Sequence, residues 1–219
     1  NKGVLNHTFY RIEGGTWNAE TEHTMSENRF LAPMSSVMLE TKDKQKELVV
    51  TLAPEHLTLT DMENPFSPEN PEITPTPIAQ RAKENNATDS EIMTIYSSAN
   101  GAYARTVLAT NPAANDYYQI GEDALFISTG VESQSAVTTP LNMYTVAEQV
   151  PMMADVRQGI SEIPLGILAA SNARSQYMQV AFYLSSNWSR ECYFCDNQTG
   201  QKIRIMDGLV ISVEMPLNH

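Results

Sequence analysis

The chain has 219 residues, 42% of them hydrophobic and 18% charged, a composition that folds and is long enough for one large all-β domain or two small ones. Its 26 Asp and Glu outnumber 14 Lys and Arg, and the net charge of −12 excludes the basic stripe that nucleic acid or an anionic lipid surface requires. No apolar run approaches the roughly 20 residues of a membrane span, so the acidity reads as a solvated, self-repelling surface, with calcium-holding acidic loops as the sharper alternative.

The opening Asn1-Lys2-Gly3 is polar and reads as chain-interior sequence, so a trimmed chain is expected. Residues 9–12 (FYRI) form a short strand, and Gly14-Gly15 marks a turn. Trp17 follows in polar sequence. An exposed indole could stack on a pyranose ring; the commoner role is to plug the edge of a sandwich. Residues 36–41 (SVMLET) and 47–52 (ELVVTL) flank the charged run KDKQK, which predicts a hairpin with a solvated tip.

Between residues 60 and 89 the character changes. Pro65, Pro68, Pro71, Pro75 and Pro77 fall among Glu, Asn and Ser. Proline removes backbone donors and fixes φ, so no central strand can run here. We read residues 61–89 as a linker or surface loop, with one or two helical turns in 78–85 (IAQRAKEN).

Strands resume at 91–97 (EIMTIYS). Asn100-Gly101 accepts positive φ cheaply and predicts a tight hairpin into 102–109 (AYARTVLA). Further strands are expected at 124–128, 142–146 (NMYTV) and 150–155 (VPMMAD). Residues 163–168 (IPLGIL) are apolar on both faces, which predicts a central, doubly covered strand. The stretch 176–215 holds the clearest pattern. Met178, Val180, Phe182 and Leu184 alternate with Gln179, Ala181 and Tyr183; Ile203 and Ile205 alternate with Lys202 and Arg204; Leu209, Ile211 and Val213 alternate with Val210, Ser212 and Glu214. Side chains two apart share a sheet face, so 176–215 reads as four antiparallel strands, each with one apolar face. Asp196 with Gly200, and Asp207 with Gly208, supply turn chemistry: a carboxylate for local backbone donors and a residue tolerant of positive φ.

These segments, GEDALFIS, NMYTV, EIPLGIL and the run 182–216, resemble the C-terminal β-sandwich region of large surface-exposed and secreted proteins of Bacteroidetes. The resemblance rests on Gly121, Asp123 and Ala124; on Ile163, Pro164, Leu165 and Gly166; on Tyr193, Phe194, Asp196, Thr199 and Gly200; and on Asp207 with Gly208. The earlier ENRFLAPMSSVMLE (27–40) is similar to the strand preceding that region. The resemblance implies a non-enzymatic module of an exported protein, held extracellularly or at the outer-membrane surface, with a protein or glycan as partner.

The residues offer little catalytic chemistry. Cys192 and Cys195 have C-x-x-C spacing, yet ECYFCD is strand-like and no second motif accompanies it. Positions i and i+3 of a strand point to opposite faces, which favours free structural thiols over a disulfide across a bulge, a metal site or a redox pair. His7, His23, His56 and His219 are scattered, and no G-x-S-x-G or H-E-x-x-H motif is present. Glu122-Asp123 are adjacent in a turn and should point apart. Four sequons, at Asn6, Asn86, Asn187 and Asn197, would mark surface loops in a eukaryotic secreted chain and are chance matches in a bacterial one.

We therefore expect an all-β protein of antiparallel β-sandwich type in two small units: an N-terminal β unit over 1–60, the segment 61–89, and a C-terminal β-sandwich over 90–219. The expected function is structural or adhesive, with no enzyme activity, cofactor or metal. The alternative is a carbohydrate-binding module that uses Trp17, Trp188 and Tyr193.

Overall fold

The computed structural model describes residues 5–13, 16–21, 24, 37–41, 90–99, 102–120, 122–127, 141–169 and 177–214. Every regular element among them is a strand. The expected hairpin return at 47–52, the proline-rich stretch 61–89 and the helical turns at 78–85 lie outside the described residues.

The first sheet has three strands. β1 (Leu5–Glu13) pairs antiparallel with β2 (Thr16–Glu20) on one side and with β3 (Val37–Thr41) on the other.

The main sheet begins with a hairpin, β4 (Ile92–Ala99) and β5 (Ala102–Thr110), paired from Ile92 with Ala109 to Ala99 with Ala102. The chain then forms β6 (Ala124–Leu125), the hairpin of β7 (Leu141–Ala147) and β8 (Val150–Arg157), then β9 (Leu165–Ala169) and β10 (Tyr177–Leu184). β11 (Tyr193–Cys195) and β12 (Lys202–Arg204) precede β13 (Leu209–Glu214). The strand order is β13-β10-β4-β5-β8-β7-β9, with β6 added on β8. The sheet is antiparallel except where β5 runs parallel to β8, from Val107 with Ala154 to Thr110 with Arg157. A parallel pair needs a long crossover, and the intervening residues 111–149 supply it. β7 pairs with β8 near the turn and with β9 beyond it, so the sheet curls. The result is an all-β, sandwich-like fold.

The curl encloses the first core cluster. Met93, Ile95, Leu108, Leu141, Met143, Met178, Val180, Phe182 and Leu184 are buried in it, with Leu165, Ile167, Phe194, Ile203, Leu209 and Val213 packed around them. These are the inward sides of the period-two patterns. A second cluster lies on the opposite face of β5 and β8, where Ile92, Val107, Ala109, Met153, Ala154 and Val156 meet Tyr10 and Ala19 of the first sheet. The small side chains Ala109, Ala124 and Ala154 let the two layers approach.

Two expectations about strand position are corrected. Among the described residues β9 is not a central strand: it ends the strand order, pairs with β7 alone, and is half-buried from Leu165 to Leu168. An apolar run reports covered faces, not paired edges. Gly166 instead lies under the Tyr144 ring of its cross-strand partner, so close that an added Cβ would sit 2.3 Å from ring carbons. The doubly covered strand is β4, between β10 and β5 and buried from Ile92 to Ser97, with Thr94 and Ser97 masking that role in the sequence. The four strands of 176–215 also divide. β10 and β13 join the main sheet, while β11 and β12 form a separate two-stranded ribbon whose Phe194 and Ile203 pack on the first core.

Candidate functional site

Of the three aromatic residues singled out from the sequence, Trp17 and Trp188 pack on different core clusters. Trp17 lies in β2 opposite Ile12, half-buried against the second core cluster. Trp188 follows β10, half-buried against the first cluster, and its indole N–H donates to the Arg190 carbonyl at 2.8 Å. Tyr193 is the exposed one, at 42%. Its hydroxyl donates to Glu191 Oε1 at 2.5 Å, and the Lys202 ammonium lies 4.2 Å from its ring centroid, covering one face. The Glu191 hydrogen bond raises the Tyr193 phenol above its ordinary range.

The turn carrying Trp188 is stitched to the start of β4. Ser185 Oγ accepts the Ile92 N–H at 2.9 Å, and Ser185 N–H donates to the Ile92 carbonyl at 2.8 Å. Glu91 accepts from the Ser189 N–H at 2.7 Å, from the Ser189 hydroxyl at 2.8 Å, and from Arg190 Nε. Partial burial pushes the Glu91 carboxyl up, but the Ser189 and Arg190 donors outweigh it and hold the group below the usual carboxylate range. Both cysteines are free: Cys192 is half-buried, where desolvation raises its thiol, and Cys195 is exposed. Asp196 accepts the Gln198 N–H at 2.8 Å and the Thr199 hydroxyl at 2.8 Å, and Gly200 takes φ +73°, the turn geometry read from the sequence. Asp207 accepts the Leu184 N–H at 3.0 Å beside Gly208 at φ +77°.

The least expected chemistry lies in the seam between the two sheets. Arg105 of β5 reaches Glu20 of β2 at 2.8 Å, with Arg11 of β1 on the same carboxylate at 3.5 Å. Arg105 also donates to the Ala19 carbonyl at 3.0 Å. Arg105 and Glu20 are almost fully buried, at 6% and 1% exposure. Nearby, Asp123 is 1% exposed. Its Oδ1 accepts the Val156 N–H and its Oδ2 the Gln119 N–H, both at 2.7 Å. Desolvation raises the Asp123 carboxyl to about 6, against these two hydrogen bonds and with the charges of Asp155 and Glu122 adding to the rise. Asp155 is itself clamped by Arg157 at 2.9 Å. Thr8 of β1 donates to the Asp123 carbonyl at 3.4 Å, and Tyr118 donates to Glu40 of β3 at 3.4 Å. Desolvation, then Glu40, pushes the Tyr118 phenol up to about 12 and lifts Tyr10 well above its usual value.

Sequence reasoning placed Asp123 in a turn and in the family resemblance, but gave no role to Glu20, Arg105 or Tyr118. Only the out-of-phase position of Arg105, on the apolar strand AYARTVLA, hinted at a buried charge. Of the four histidines, His7 lies in β1 and the others fall outside the described residues. Among the described residues, no three His, Cys, Asp or Glu side chains are placed to hold a metal ion, and no helix is long and apolar enough to cross a membrane. No family model, curated protein or solved structure matches the chain.

Proposed function

We propose that this chain is a non-enzymatic structural or adhesive β-sandwich module of a bacterial surface-exposed or secreted protein. The observation that carries this reading is how the buried charged groups are used. Glu20, Arg105, Asp123 and Arg157 each bind another part of the fold, through an opposite charge, a backbone N–H or a carbonyl, while Asp155 holds Arg157 on its own strand. A catalytic carboxylate has to present an oxygen to a substrate, whereas these ones are committed to joining strands, loops and sheets. Exposed Tyr177, Tyr193 and Val210 leave aromatic and apolar surface for contact with a partner. The Bacteroidetes resemblance adds the location, extracellular or on the outer membrane.

The test has two parts. Intact source cells are treated with a non-permeant protease and probed with antibody to this chain; loss of the signal supports surface exposure, and full protection would refute it. Beads coated with the purified chain are then presented to extracellular-matrix proteins and to a glycan array. Retention on protein supports the adhesive reading. Retention on glycan that Tyr193→Ala abolishes, with the melting temperature unchanged, would replace it with the carbohydrate-binding one.

A further inference from the structure

Asp123 joins two parts of the chain that local sequence does not connect. One oxygen holds the β8 backbone at Val156; the other holds Gln119, near the end of the loop 111–120. The loop is also tied at its base, where Asn111 N–H donates to the Arg157 carbonyl at 2.8 Å. Between these ties it carries Tyr117, exposed at 52%, and Tyr118, which reaches Glu40 of the first sheet; Ile120, exposed at 62%, follows the second tie.

The two bonds differ in what replaces them. A carboxylate accepts at both oxygens. A protonated carboxyl carries a hydrogen on one, which turns that oxygen into a donor and leaves it a poor acceptor for an N–H. Val156 is fully buried, so its N–H has no alternative acceptor if released, and a buried orphan donor is costly. Gln119 is only half-buried, and its N–H can turn to water.

We propose that Asp123 is a proton-operated latch on the loop: as a carboxylate it grips both Gln119 and Val156, and on taking a proton from solvent at Oδ2 it releases Gln119 while keeping Val156. Burial of the carboxyl, and after it the neighbouring charges, sets the point of release. Glu122 lies beside it in the chain, with Oε2 shielded and unpartnered among the described residues; Asp155 and its partner Arg157 approach from β8; Tyr118 lies on the loop, and Glu40 and Tyr10 belong to the first sheet. The two acids oppose a second negative charge and so favour the proton in mild acid. The Gln119 carbonyl stays bonded to the Glu122 and Asp123 N–H groups, so release frees the Tyr117 side of the loop and loosens the Tyr118 link to β3 without unfolding the sheets. The latch does not depend on what the module binds.

Amide hydrogen exchange, read by NMR between about pH 7.5 and about pH 4.5 and corrected for intrinsic rates, tests this. Gln119 should lose about tenfold or more of its protection with a midpoint near the Asp123 titration, while Val156 keeps its own. Asp123→Asn, permanently neutral, should leave Gln119 unprotected at both pH values. If that variant does not fold, Glu122→Gln, which removes one repelling charge, should move the midpoint to lower pH. Unchanged Gln119 protection, loss of protection at Val156 together with Gln119, or a Glu122→Gln midpoint that fails to fall would each overturn the latch.

Discussion

Glu20 illustrates how much one buried charge depends on its partners. With Arg105 at 2.8 Å and Arg11 at 3.5 Å it is compensated; without Arg105 it would lose the nearer of these two cations while staying buried. Arg105→Met should therefore destabilise the protein by about 3–5 kcal/mol, while replacing both partners with apolar residues of similar volume should cost far less. Urea denaturation of the two variants separates these outcomes. Asp123 works in the opposite electrostatic sense. Its folded carboxyl titrates near 6, above the ordinary 3.8, so between those values the folded state holds a proton that the unfolded chain has lost. This group then favours the folded state increasingly as pH falls through 6, an advantage fully present below the unfolded value and lost as pH rises through 6. The stability of the wild type minus that of Asp123→Asn should accordingly grow on acidification from pH 7 to pH 4; urea titrations showing it constant or shrinking would contradict the burial of this carboxylate.

At the scale of elements, β9 shows how a strand with one paired neighbour among the described residues is held. It has one paired edge, towards β7, and one aromatic cover, the Tyr144 ring over Gly166. That ring also packs on Phe126 with centroids 4.8 Å apart, linking β9 to the segment after β6. A methyl group at 166 would strike the ring, so Gly166→Ala should lower stability by about 1–3 kcal/mol. Tyr144→Leu should recover part of that loss in the double variant, a non-additivity that thermal melts can measure. The turn after β10 makes a second case. Trp188 packs on the first cluster and caps the Arg190 carbonyl, so Trp188→Ala should cost about 3 kcal/mol, at the low end for an aromatic because the ring is only half-buried. A melting temperature that hardly moved would place the indole outside the core.

Across the whole molecule, topology makes folding depend on distant pairs. β5 must find β8 across residues 111–149, β10 pairs with β4 from far along the chain, and β2 closes over β5 through the Glu20–Arg105 pair. Loop closure comes before such contacts stabilise anything, and all-β domains of this kind fold in milliseconds to seconds. Stopped-flow refolding should fall in that range; a microsecond phase completing the fold would show that local hairpins dominate. Among the described residues, the first sheet is attached through Tyr10, Ala19 and the half-buried Trp17 together with charged groups and hydroxyls.

What the sequence determined by itself is local. Alternation in 176–184 and 209–214 named the inward faces of β10 and β13, Asn100-Gly101 predicted the β4–β5 hairpin, and Asp196 with Gly200 predicted its turn, because side-chain period and turn chemistry are properties of neighbouring residues. Pairing order was not legible. Residues 163–168 looked central and are an edge; β4, with Thr94 and Ser97 in it, looked ordinary and is covered on both faces. The seam was hidden for the same reason. Asp123 read as a turn residue and Glu20 and Arg105 carried no reading until a second sheet and a distant strand close over them, and only then do burial and fixed partners decide their role. Tertiary structure alone sets those terms, since the energy of a charge depends on the groups and solvent around it.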